Sequence, residues 1–284
     1  MKPTIIYNDK LVKNEDKFTD AFYSRFQLKP HTLELDDKIK KTYQFPTFYG
    51  DVTVAIGIFT CSYEKAYAMM PHKDMKPVIL KPGKAIVIFS CYEYKNVLGI
   101  PPYNEIAMTI PIQVGAKINI PALPMIMSNA FKKFGYYVFS MPVTSLENNI
   151  RGHKIWGLPK VVEEIDIVTK DGNCVTTAYD EGKPYFELSV PMTGKPKLFD
   201  VRSNLYSRLD NELLQAETCF KGDFLVGKTY DASKGPCLKI FDTKSGNVLK
   251  ALEIDEKPFQ FRYAEHMTAC FDLPKSDYKA PFKF

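Results

Sequence analysis

Residues 165–180, IDIVTKDGNCVTTAYD, decide how this chain is read. Two runs rich in Ile, Val and Thr flank Lys-Asp-Gly-Asn, a combination that predicts two strands joined by a tight turn. The next stretch, EGKPYFELSVPM (181–192), adds a third strand after a second turn, so the pattern is a meander. LKIFDTKSGNVLKALEI (238–254) carries a similar signal, with Ser-Gly-Asn between two apolar runs, and predicts a further hairpin. LYSRLDNELLQAETCF (205–220) suits helix or strand, and its β-rich surroundings favour strand.

The upstream half agrees. YGDVTVAIGIFTC (49–61) and AIVIFSCYEY (85–94) read as strands, and PPYNEIAMTIPIQVG (101–115) as a proline-led strand. SYEKAYAMM (62–70) predicts a short helix capped by Ser62 and stopped by Pro71. A helix is expected around residues 128–134 and a strand from Tyr136. The regular strand–helix alternation of a parallel sheet is missing. The expected class is therefore mainly β with a few short helices (α+β), an antiparallel barrel or two packed sheets. Residues 1–45, rich in Lys and Asp, are expected to form an arm on the main body or on a neighbouring subunit of a homo-oligomer. Residues 46–284 then form one domain.

The charge of +5 is spread among nearly equal numbers of acids and bases, which gives no footprint for nucleic acid. No apolar run is long enough for a spanning helix. Six scattered cysteines without a CxxC pair predict free, buried thiols and a cytoplasmic setting. Glycine-rich nucleotide loops, HExxH and GxSxG are all missing, and His31, His72, His153 and His266 are far apart.

What remains is RGHKIWGLPKVVEEID (151–166). A lysine amine with its ordinary pKa of about 10 is protonated at neutral pH and cannot attack a carbonyl, whereas burial disfavours the ammonium form. Ile155, Trp156, Leu158, Pro159, Val161 and Val162 offer Lys160 an apolar setting. The plainer alternative is a surface lysine flanking a strand. In PPYNE (101–105), Tyr103 and Glu105 fall on one face of an extended segment and so point toward one ligand. The alternative there is a packed tyrosine and a glutamate in a salt bridge.

These two segments together resemble the acetoacetate decarboxylase superfamily. Its members carry Gly-Arg-Glu, several residues and Pro-Lys, and here GHKIWGLPK ends in Pro159-Lys160. They also carry Tyr-x-Glu some fifty residues earlier, matched by Tyr103-Asn104-Glu105. The order of elements is similar over roughly residues 45–270. The resemblance implies a β-barrel fold and an established mechanism in which a desolvated or cation-flanked lysine forms a Schiff base. Lys160 would be that lysine, Glu105 a proton carrier, and Tyr103, Trp156, Arg151 and His153 substrate contacts. A small carbonyl compound would be the substrate, with no cofactor and no metal. The implied chemistry is decarboxylation or an aldol or dehydration step, and the alternative is a non-catalytic binding protein that keeps the fold. The sequence also departs from the family. Val161 stands where a second lysine follows the reactive one, Gly152-His153-Lys154 replaces Gly-Arg-Glu, and Ile88 or a close neighbour replaces an acid. With Val161 next door, burial is expected to be the sole means of lowering the pKa of Lys160.

Overall fold

The computed structural model describes residues 1–275 apart from 117–118, 128–129, 211, 229, 232 and 234. Two short 3-10 turns, Glu15–Lys17 and Tyr23–Arg25, precede a hairpin of β1 (Lys29–Glu34) and β2 (Lys40–Phe45). β3 (Thr47–Ser62) leads to α1 (Tyr63–Ala68), where the Ser62 hydroxyl accepts from the Lys65 amide as the expected cap. β4 (Met75–Pro77), β5 (Lys84–Val97) and β6 (Tyr103–Val114) follow. α2 (Leu123–Ile126), β7 (Phe134–Val143), α3 (Leu146–Trp156) and β8 (Lys160–Val162) complete the first half. The meander is β9 (Glu164–Lys170), β10 (Asn173–Asp180) and β11 (Lys183–Pro191). Then come β12 (Lys195–Leu209), β13 (Glu212–Gly227), β14 (Leu238–Ile240), α4 (Lys244–Lys250) and β15 (Pro258–Pro274).

Seven strands form a closed ring in the order β6-β5-β3-β15-β13-β12-β7, with β7 pairing back onto β6. Closure leaves these walls without free edges. All ring pairings are antiparallel except β12–β7, and β8 extends the sheet by lying parallel to β7. Side-chain alternation then separates inside from outside. On β5, Ile88, Ser90, Tyr92 and Tyr94 point into the barrel. Their neighbours Val87, Phe89 and Cys91 point out and pack under the second sheet, β14-β11-β10-β9. Phe89 meets Phe186 of that sheet at 5.1 Å between ring centroids.

The expected mainly β fold with short helices is present, and so are the turns at 171–172 and 181–182. Residues 205–220 are strand, belonging to the long β12–β13 hairpin. The hairpin expected at 238–254 does not form. β14 pairs with β11 instead, and Thr243 caps α4 by accepting from the Gly246 amide at 3.0 Å. Asp180 holds the Ser245 hydroxyl at 2.8 Å, so Ser-Gly-Asn opens a helix rather than turning a hairpin. Of the helix expected at 128–134, Ser128 and Asn129 lie outside the described residues; α2 lies earlier, and β7 starts at Phe134. All six cysteines are free and buried. Among the described residues no helix is long and apolar enough to cross a membrane.

Candidate active site

The site is built around α3, a helix that the sequence reading left unassigned. Its buried residues are Glu147, Asn148, Arg151, Gly152, Ile155 and Trp156, which recur at helical spacing on one face. That face starts polar and ends apolar, so hydrophobic periodicity alone misses it. The end signals were present. Ser145 caps the first turn by accepting from the Asn148 amide at 3.2 Å. Gly157 ends the helix in the left-handed conformation (φ +60), where its missing side chain also leaves room for the Arg208 carbonyl.

This abrupt stop returns the chain along the helix, so Lys160 lies against α3 rather than beyond it. Asn149 Nδ2 donates to the Lys160 carbonyl at 2.9 Å, and His153 Nε2 contacts the same oxygen at 2.7 Å. The carbonyl accepts, so that imidazole nitrogen carries the proton. The lysine stem crosses α3 at Gly152, where a Cβ would come within 2.4 Å of Lys160 Cδ and 2.7 Å of Cε.

Lys160 is only 5% exposed. Its Nζ donates to Glu105 Oε2 at 2.6 Å and to Asn148 Oδ1 at 3.2 Å. Tyr94 donates to the other Glu105 oxygen at 3.3 Å. Burial pushes the Lys160 amine below the ordinary lysine value, Glu105 opposes that, and the Arg151 guanidinium adds to the lowering. The expectation that burial acts alone therefore needs correction. The cationic neighbour is on the helix at position 151 rather than at position 161, and Val161 faces outward, 44% exposed.

The barrel interior holds a cavity of about 790 Å3. Lys160, Glu105 and Trp156 of the sequence candidates line it, together with Tyr49, Tyr94 and Asn148. Tyr103 shares the inward face with Glu105, as the alternation predicts, but it is covered and presents its ring 5.9 Å from Lys160 Nζ. Arg151 and His153 do not reach the cavity. Arg151 is fully buried behind it, 4.4 Å from the Tyr43 ring, and donates to Thr47 Oγ1 at 2.9 Å. Trp156 donates its indole N–H to the Asp272 carbonyl and stacks on Phe271 at 4.7 Å. Beside Arg151, Glu147 accepts from both Lys41 Nζ and Tyr43 Oη at 2.7 Å, so β2 supplies partners to α3. Asn148 was missed in the sequence because a lone helical asparagine carries no motif. Its Nδ2 is buried and, among the described residues, has no hydrogen-bond partner.

The sequence model of the acetoacetate decarboxylase (ADC) family matches residues 35–209, more than half the chain and the whole span from β2 to β12. The chain belongs to the acetoacetate decarboxylase family. Solved structures agree on the fold. An acetoacetate decarboxylase from Legionella pneumophila aligns with 93% of this chain and 95% of its own at 14% identity and a TM-score of 0.60. The enduracididine biosynthesis enzyme MppR, complexed with pyruvate, aligns with 80% and 90% at 13% identity and a TM-score of 0.54. An acetoacetate decarboxylase-like enzyme from Sphingomonas wittichii RW1 gives 80% and 91% at 12% identity and a TM-score of 0.51. No curated protein matches the chain. Within the family match, Pro159-Lys160 and Tyr103-Asn104-Glu105 meet at one wall of the barrel through the 2.6 Å contact between Lys160 and Glu105.

Proposed function

We propose that this acetoacetate decarboxylase family member is a lyase that forms a Schiff base between Lys160 and a carbonyl substrate. The observation that carries the reading is the buried Lys160 amine, held on Glu105 at the wall of the barrel cavity. A lysine–carboxyl pair with little access to water shares its proton on short notice. Transfer of a proton from Nζ to Glu105 leaves the free amine, which adds to the carbonyl carbon. Loss of water, with the proton supplied by Glu105, gives the iminium ion. That ion accepts the electron pair released when a neighbouring carboxylate leaves as carbon dioxide, or when an adjacent C–H loses its proton. Reprotonation at carbon and hydrolysis then return the free lysine. Asn148 lines the same cavity and accepts from Lys160 Nζ through its Oδ1, so it would help to hold the amine in place. Arg151 acts from behind as a positioning charge, and His153 acts by holding the Lys160 backbone.

Borohydride trapping tests this reading. Incubation with pyruvate or acetoacetate followed by reduction should leave a covalent mass that maps to Lys160. Lys160→Ala should abolish it. Turnover retained in that variant would overturn the lysine's role. No adduct across a panel of keto acids, with binding intact, would return the chain to a binding protein.

A further inference from the structure

The cavity is much larger than a three- or four-carbon keto acid needs, and cations line it beyond the Lys160–Glu105 pair. Its lining carries Lys132, Lys197, Arg202, Arg262 and Lys275 against one further carboxyl, Glu217. Glu217 is already shared by Arg202 at 3.4 Å and Lys275 at 3.7 Å. Arg262 is different. It projects from β15 into the barrel, half-buried, with its guanidinium 4.9 Å from the Phe199 ring. Its Nε donates to Gln260 at 2.7 Å, and among the described residues it forms no ion pair. Half-buried arginines are ordinarily matched by a carboxylate or phosphate, because the planar fork presents parallel N–H groups. Tyr136 lines the same cavity.

The register sets the separation. Glu105 pairs with Tyr92, Tyr92 with Val54, and Val54 with Ala264, while Arg262 sits two residues further along β15. Three strand spacings make roughly 14 Å across the wall, and two residues make roughly 7 Å along it. The straight path through the barrel is shorter than the path around the wall. By the same register the lining between them is Tyr92 and Ser90 of β5, Ala107 of β6 and Ile56 of β3, with Ile58 and Ile88 lying beyond Arg262.

We propose that Arg262 binds a carboxylate at the end of the substrate remote from the reacting carbonyl, so that the substrate is an extended carbonyl compound with a terminal carboxylate. This inference rests on the Lys160 reading for the identity of the carbonyl end, and on the cavity alone for the anionic end. Arg262 lies outside residues 35–209, the span the family model matches.

The test uses methyl ketones bearing a terminal carboxylate, from levulinate upward by two methylenes at a time, each paired with its methyl ester. Affinities are measured by calorimetry without reductant, on the unmodified protein, Arg262→Gln and Arg262→Lys. In the unmodified protein the longer acids should bind roughly tenfold to a hundredfold more tightly than their esters, the range for a charge-assisted contact. Arg262→Gln should bring that ratio close to one, and Arg262→Lys should keep part of it. An equal preference for acid in Arg262→Gln, or no preference in the unmodified protein, overturns the proposal. Borohydride trapping of the same ligands separates the two readings. Acid preference without an adduct refutes the Schiff base and retains the Arg262 site. An adduct without acid preference does the reverse.

Discussion

At the scale of single residues, the protonation of Lys160 is a balance of opposed influences that can be moved separately, and on the proposed function it sets the rate of adduct formation. Burial lowers its pKa first, Glu105 raises it, and Arg151 lowers it. The rate of adduct formation should therefore rise with pH through a midpoint below the ordinary lysine value and then level off. Arg151→Gln removes a cation and should shift that midpoint upward. Glu105→Gln removes the stabilising carboxyl and should shift it downward, while slowing the later proton transfers. Trapping rates from pH 5 to pH 10, with folding checked by circular dichroism, measure both shifts; shifts of the same sign would contradict the assignment. The lysine and its Tyr-x-Glu partner were legible in the sequence because each sits in a short motif. Arg151 was visible as a residue but not as a source of charge for Lys160. That relation exists only once α3 turns four residues into one helical step and Gly157 folds the chain back.

At the scale of elements, the ends of helices and strands carried the information, and element interiors misled where their composition was mixed. The α1 cap was readable at Ser62, but α4 was taken for a hairpin, because Ser-Gly-Asn suits both a turn and a capped first turn. α3 went unseen because its inward face begins with Glu147, Asn148 and Arg151. Its cap is open to measurement. Ser145→Ala should lower the stability of the protein by about 1 kcal/mol, read from the midpoint of urea unfolding. The segment that links β8 to β9 holds a second test. Burial, opposed by the Tyr185 hydroxyl and aided by Asp180, pushes the Glu163 carboxyl up to about 7 from 4.5. Between those values the folded protein retains a proton that the unfolded chain releases, so stability falls as pH rises across the window. Glu163→Gln should match the parent in melting temperature near pH 4 and exceed it at pH 8. A constant difference at both pH values would remove Glu163 as the cause.

At the scale of the molecule, the two faces of one sheet have separate work. The inner face encloses the cavity, and the outer face is covered by the β9–β11 meander and β14. Phe186 belongs to the second arrangement alone; it is fully buried and packs on Phe89. Phe186→Ala should cost about 3–5 kcal/mol in urea unfolding. Trapping at low temperature, where the variant stays folded, should change by less than about twofold. A large loss of trapping would mean that the outer packing shapes the cavity after all. The meander at 165–192 was read correctly because strand alternation and turn residues are local signals. The ring closure of β7 onto β6 was not readable, since it joins segments by a pairing that no local pattern announces.

The passage of the Lys160 stem over Gly152 makes the middle of α3 depend on the residue that helices favour least after proline. Glycine within a helix costs about 1 kcal/mol relative to alanine. At Gly152 that amount cannot be recovered, because the methyl of Gly152→Ala would displace the lysine stem and swing the buried amine off Glu105, a loss of about 3–5 kcal/mol. A library at this position sorted first for melting temperature and then for adduct formation should keep glycine in both sorts. Enrichment of Gly152→Ala in both sorts would show that the stem can reroute without loss.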